Sequence, residues 1–202
     1  MSEQDSAAPG NGPIMGIDPG SVHTGYGLIE ISGRAVSVVT CGAVSPKTAW
    51  DLPRRLAYIH RSILELVLTF RPKAMAMEDI FTHKNVRGTI KLAHARAASI
   101  LAASLSGVPV FEYAPTLIKN AVTGSGRADK SQVAFMVGSV LKLTGTHGPD
   151  VTDALAVALC HAGQESLPME RASLASSNRG SSWRRLSPKD LEALGYKIDP
   201  NS

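Results

Sequence analysis

Ile14-Met15-Gly16-Ile17-Asp18-Pro19-Gly20 is a short apolar run that ends in a carboxylate and a Pro-Gly turn. An apolar run of this length bounded by a turn reads as a buried strand. Working outward, Gly25 to Ile31 and Ala35 to Val44 are joined by Ser32-Gly33-Arg34 and read as a hairpin beside the first strand. The chain therefore opens as three antiparallel strands. From Asp51 to Phe70 the residues Leu52, Leu56, Ile59, Ile63, Leu66, Val67 and Phe70 recur at helical spacing and stop before Pro72. Ala74 to Glu78 is a second buried strand, Thr89 to Ser106 an Ala-rich helix stopped by Gly107, and Val108 to Tyr113 a further strand. Helices are expected from Pro115 to Val122, Lys130 to Leu143 and Val151 to Ala162. Strands alternating with helices require a mixed α/β sheet with covered faces.

Composition bounds the possibilities. With 202 residues, 44% hydrophobic and 19% charged, the chain is one folded domain with tails and needs no disulfide or metal staple. We expect an arm at 1–12, rich in Ser, Ala, Pro and Gly, a body at 13–163, and a flexible tail at 164–202. A short helix at 188–194 would be capped by Ser187, started by Pro188 and stopped by Gly195. Cys41 and Cys160 lack CxxC spacing and cannot build a zinc site. The apolar run Ala154 to Cys160 is far below the roughly 18 residues of a membrane span, and the acidic start Met1-Ser-Glu-Gln-Asp is no leader, so no membrane and a cytoplasmic location are expected. Residues 13–163 hold 15 Lys/Arg against 10 Asp/Glu. If four of those acids share one site, the remaining surface suits a polyanion, although an ordinary basic protein would look similar.

Four acids stand where acids are avoided. Asp18 and Glu78 each end an apolar strand, and ligands bind outside the carboxyl ends of strands in open α/β sheets. Asp150 and Asp153 are spaced i, i+3 at the start of a nearly apolar helix, on one face near its positive end. Helix capping by Asp150 and Asp153 is the alternative. If the four meet, repulsion and desolvation demand protonation or cations. Oxygen-only ligation favours Mg²⁺ or Mn²⁺ over zinc, and two such ions suit phosphodiester cleavage.

Gly124-Ser-Gly-Arg-Ala-Asp-Lys130-Ser131 fails as a phosphate loop, because Asp129 replaces the second Gly and no strand precedes it. It reads instead as a loop feeding a helix capped reciprocally by Asp129 and Gln132, with Arg127 and Lys130 facing DNA. Ala93, Ala95, Ala97, Ala98, Ala102 and Ala103 surround the Thr89–Ser106 helix with small residues, which fits either a dimer contact or internal packing.

These residues carry a resemblance. Gly16-Ile-Asp-Pro-Gly-Ser with Gly25-Tyr26-Gly27, Met77-Glu78-Asp79-Ile80-Phe81, Val110-Phe-Glu-Tyr-Ala114, Asp129-Lys-Ser-Gln-Val133 and Asp150-Val-Thr-Asp153-Ala-Leu-Ala resemble, in order over about residues 14–163, the motifs of the RuvC Holliday-junction resolvases. The resemblance implies an RNase H-like fold, a five-stranded mixed sheet with three antiparallel strands followed by parallel ones, flanked by helices. It implies a homodimer that nicks four-way junction DNA in symmetric pairs, leaving 5′-phosphates and 3′-hydroxyls, with two Mg²⁺ or Mn²⁺ ions per site, in association with branch-migration motor proteins. Metal ligands then fall on Asp18, Glu78, Asp150 and Asp153, with some members carrying His at the third position and His147 nearby. Phosphate contacts fall on Lys119 and Lys130, with Lys130 also catalytic, and a base-stacking aromatic falls on Phe81. Read alone, Phe81 is a core residue at a strand end. Two alternatives from other classes are a lobe of an actin/Hsp70-like nucleotide-binding ATPase, for which the chain is too short by one lobe, and a catalytically idle junction-binding module.

Overall fold

Strand pairing in the computed structural model, which describes residues 12–33, 35–79 and 86–165, follows the hydrophobic runs. The arm at 1–12 apart from Gly12, Phe81, and the tail from 166 onward with its helix at 188–194 lie outside the described residues. The order is β1 (Ile14–Asp18), β2 (Thr24–Ser32), β3 (Ala35–Val44), α1 (Leu52–Phe70), β4 (Ala74–Glu78), α2 (Val86–Ser104), β5 (Val110–Tyr113), α3 (Pro115–Thr123), α4 (Lys130–Leu141) and α5 (Pro149–Glu165). One five-stranded sheet runs β3-β2-β1-β4-β5. β1, β2 and β3 pair antiparallel, and β4 and β5 join parallel to β1.

The period-2 alternation of β1 and β4 splits the core. Met15, Ile17, Met75 and Met77 face α1 and α2, where Ile59, Ile63, Val67 and Ala95 pack on them. Ile14 and Ala76 face the other way, onto α3, α4 and α5. Each large aliphatic side chain so buried contributes roughly 1.5–3 kcal/mol, so a polar change at Ile63 would break the first layer. Asp51 caps α1 by accepting from the Arg54 amide, and the Asp129–Gln132 capping box of α4 is present as expected.

Several boundaries differ from the sequence reading. β5 begins at Val110 and not Val108, because the Val108 amide donates to Ala103 O to close α2 and Pro109 has no amide for the ladder. α2 starts three residues earlier and ends at Ser104, after which Gly107 turns at φ 74°. α4 stops at Leu141, since Lys142 takes the left-handed conformation at φ 50° that sequence patterns assign to Gly. Of the six alanines on α2, Ala95, Ala98, Ala102 and Ala103 are buried inside the protomer, while Ala93 and Ala97 are exposed. Internal packing thus accounts for four of them.

Candidate active site

Asp18 and Glu78 continue the alternation of their strands by one residue, which turns both carboxylates to the α5 side. The parallel register pairs Ile17 with Met77, so the two acids leave neighbouring strands side by side. α5 lies directly on β1 and β2 because glycines leave it room: a Cβ on Gly16 would collide with the Ala154 carbonyl, and one on Gly25 with the Asp150 carbonyl. Gly25 is itself the pairing partner of Asp18. These glycines therefore bring the acidic first turn of α5 to the end of β1.

The cavity so formed encloses about 430 Å³ and is lined by Asp18, Glu78, Asp153, Lys119, Lys130 and Arg96 among others. Burial is the largest of the causes that push Asp18 up to about 7 from its ordinary 3.8, followed by the charges of Asp153, Asp150 and Glu78, with Lys130 opposing them. Glu78 is also raised, first by burial and then by Asp153, although the residue as a whole is solvent-exposed. Lys130 donates to Asp153 Oδ2 at 3.1 Å, and that bond is the main reason its own pKa rises. Lys119 reaches the same cavity from α3 and, with Lys130 and Arg96, opposes part of the rise at Glu78.

Not every expected residue converges. Asp150 is felt electrostatically by Asp18, yet its side chain is not part of the cavity wall. It lies inside the first turn of α5, which begins at Pro149, and so is not the N-cap. His147 turns elsewhere, with Nδ1 3.9 Å from Cys41 Sγ and Nε2 3.2 Å from Thr144 O. Arg127 is exposed and outside the cavity lining. Among the described residues no group of three or more His, Cys, Asp or Glu side chains stands close enough to enclose a metal ion. The donor set nonetheless suits hard divalent cations: oxygens only, from three separate elements, around a carboxyl whose pKa is raised first by burial and then by the neighbouring acids.

Sequence reasoning missed Arg96. It is 7% exposed on α2, donates from Nη1 to the Glu78 carbonyl oxygen at 2.5 Å, and its Nη2 contacts Glu112 Oε1 at 2.5 Å. It thus ties the strand end carrying Glu78 to α2 and β5. The available signal was a charged residue in phase with the buried Ser99 and Ala103 of α2.

Comparison with known proteins adds to this geometry. The family described as Crossover junction endodeoxyribonuclease RuvC matches residues 14–161. The chain belongs to the RuvC family. The Crossover junction endodeoxyribonuclease RuvC of Halorhodospira halophila is 45% identical over 159 residues, 79% of this chain and 95% of that protein. The structure of T. thermophilus RuvC in complex with Holliday junction substrate is 34% identical at a TM-score of 0.72, covering 76% of this chain and 94% of that one. The yeast mitochondrial Holliday junction resolvase shares the fold at a TM-score of 0.60, with 12% identity over 85% of this chain and 86% of that one. As a RuvC-family member the protein is an endodeoxyribonuclease of the RNase H-like fold, and neither the ATPase-lobe nor the idle-module alternative is favoured. Among the described residues no helix is long and apolar enough to cross a membrane.

Proposed function

We propose that the protein resolves Holliday junctions in recombination and repair by paired, symmetric nicking, with Asp18, Glu78, Asp153 and Asp150 holding two Mg²⁺ or Mn²⁺ ions. The observation that carries this reading is the convergence of Asp18, Glu78 and Asp153 on one cavity beside Lys119 and Lys130, with the Asp18 carboxyl pushed up to about 7. Two divalent ions, when bound, supply an activated water and offset charge on the attacking and leaving oxygens.

The chain's own groups do the rest. Lys130, at the first turn of α4 with its side chain 83% exposed, reaches the non-bridging oxygens of the scissile phosphate, where charge builds as water adds to phosphorus. Lys119 holds the same strand from the other wall. The P–O3′ bond breaks, the water oxygen stays on the 5′-phosphate, and O3′ leaves as a hydroxyl after taking a proton. Phe81 stacks on an unpaired base at the crossover, a contact worth roughly 1–3 kcal/mol, and Arg127 contacts backbone phosphate.

Two symmetric cuts need two sites related by a two-fold axis. α2 presents an outer stripe for that contact, with Ile90 50% and Leu101 51% exposed, Leu105 just past its end is 43% exposed, and Leu68 of α1 is 61% exposed. The homodimer acts in the cytoplasm with branch-migration motors. The deciding experiment compares nicking of a synthetic four-way junction and of plain duplex with each metal. Asp18→Asn should bind the junction but lose metal-dependent nicking by at least about a thousandfold, since ion catalysis supplies several kcal/mol. Full activity in that variant would refute the assignment.

A further inference from the structure

The cavity does not account for a second cationic feature at the same end of the sheet. Between β3 and α1, the Trp50 ring has the Arg54 guanidinium 4.4 Å and the Lys47 ammonium 5.8 Å from its centroid. Trp50 meets Tyr58 edge-to-face at 5.5 Å, and Arg61 lies 5.9 Å from the Tyr58 ring. Lys47, Arg54 and Arg61 are exposed, and none has a carboxylate partner among the described residues. Asp51, the acid within this cluster, is engaged by the Arg54 amide as the cap of α1.

Cation–π contact, closest for Arg54, holds these cations near the rings without consuming their donors. A guanidinium lying over an indole uses its π-face, so its in-plane N–H fork stays free for a phosphate. The rings lower the rotamer freedom that an exposed Arg would lose on binding. The cluster is also tied to the site: Arg55, next to Arg54, donates from Nη2 to the Ser21 carbonyl, three residues after Asp18. Across the sheet, Asp18 pairs with Gly25 and Gly25 with Ala43, one residue before β3 ends at Val44. Two strand spacings are about 10 Å.

We propose that Lys47, Arg54 and Arg61, held by Trp50 and Tyr58, form an accessory backbone contact for the duplex arm that leaves the cleavage site. This rests on the nuclease reading above. An offset of roughly 10–20 Å from Asp18 corresponds to about three to six nucleotides from the cut, at ~3.4 Å per nucleotide. A phosphate in that stretch supplies the anion that these three cations lack among the described residues.

The test is junction binding in metal-free buffer as a function of salt, with the double variant Lys47→Gln/Arg54→Gln. Two lost phosphate contacts should lower the magnitude of the log–log salt slope by about 2 and weaken binding about tenfold or more near 0.1 M salt. Turnover at saturating junction should stay as in the unmodified chain. Lys142→Gln, a charge change at the C-cap of α4, should leave the slope alone. Methylphosphonates three to six nucleotides from the cut should weaken the unmodified protein but not the double variant. An unchanged slope in the double variant, an equal drop with Lys142→Gln, or a methylphosphonate effect that persists in the double variant would each overturn the proposal. If the unmodified chain binds junctions but never nicks them, the nuclease reading fails while the slope still decides the patch. If it does not bind them at all, both fail.

Discussion

The two ends of α5 are both polar, and they are organised in opposite ways. At its C-terminal end Tyr113, His161, Glu165 and Lys73 are linked to one another: Tyr113 Oη lies 2.6 Å from His161 Nδ1, His161 Nε2 is 3.4 Å from Glu165 Oε1 without a hydrogen bond, and Lys73 Nζ is 2.7 Å from Glu165 Oε2. At its N-terminal end the acids face each other across a cavity, and Lys130 on Asp153 is the one ion pair among the described residues that reaches them. A polar group that folding buries must find its compensation somewhere. Where the chain supplies it, the cluster is structural, as at Tyr113, His161 and Glu165. Where it does not, as at Asp18, the missing charge is left for a ligand.

Arg96 is the exception at the acidic end, and removing it should give the largest effect on stability. Arg96→Met leaves Glu112 without its cation and frees the Glu78 carbonyl, and breaking such a pair costs about 3–5 kcal/mol. Because the Glu112 side chain is 20% exposed, we expect the lower figure, about 3 kcal/mol, read as a fall in urea midpoint at constant slope. Adding Glu112→Gln should restore part of it. A loss below about 1 kcal/mol would mean that the pair carries no charge burden.

The acid pair sharpens the comparison through pH. The folded state holds the Asp18 proton more tightly than the unfolded chain, with a pKa raised from 3.8 to about 7 by burial first. In the metal-free protein the stability linked to this proton is therefore complete below about pH 4 and is lost as pH rises through about 7. Asp18→Asn should remove that slope and stabilise the metal-free protein above pH 7 by about 2 kcal/mol, allowing for residual solvent. Parallel stability curves for the two proteins between pH 4 and 8 would contradict the uncompensated-charge account.

Lys130 is next in size. Its exposed side chain makes Lys130→Ala nearly neutral for folding, but cleavage should slow about tenfold, below the roughly hundredfold of a water-excluded donor because solvent screens an exposed ammonium. The salt slope of junction binding should drop by about 1; an unchanged slope would exclude a phosphate contact.

Much of this contrast was legible in the amino-acid sequence. β1, β3 and β4 were read to the residue, because apolar alternation broken by a carboxylate, a Gly or a Pro is a local signal. The acids at the exits of β1 and β4 were visible for the same reason. What the sequence hid is tertiary. Arg96 looks like any charge on a helix until the helix phase is tied to the sheet, and only packing shows that the Asp150 backbone lies over Gly25 while its side chain stays out of the cavity. The Trp50 cluster joins residues from a loop and two turns of α1, and no motif announces it.

The smallest effect belongs to the paired end. Burial is the main cause that lowers the His161 pKa, and burial also raises that of the Tyr113 phenol well above its ordinary value. The neutral imidazole therefore accepts a hydrogen bond from the phenol O–H at Nδ1 and carries its own proton on Nε2, which lies 3.4 Å from Glu165 Oε1. A His whose folded pKa lies below its unfolded value contributes stability that is complete above about pH 6.5 and is lost as pH falls through the folded pKa. The sign is opposite to that at Asp18, so the two ends of one helix limit the metal-free protein from both sides of the pH scale. Tyr113→Phe should cost about 1 kcal/mol at pH 8, the net value of one buried hydrogen bond, with no change in nicking rate. The phenol is the only bonded partner of Nδ1 among the described residues, so without it burial and the Lys73 charge alone oppose protonation, and the cost should shrink toward pH 5.5. A cost that grows on acidification would show that Tyr113 stabilises the imidazolium, and the paired end would then be a charged cluster like the other.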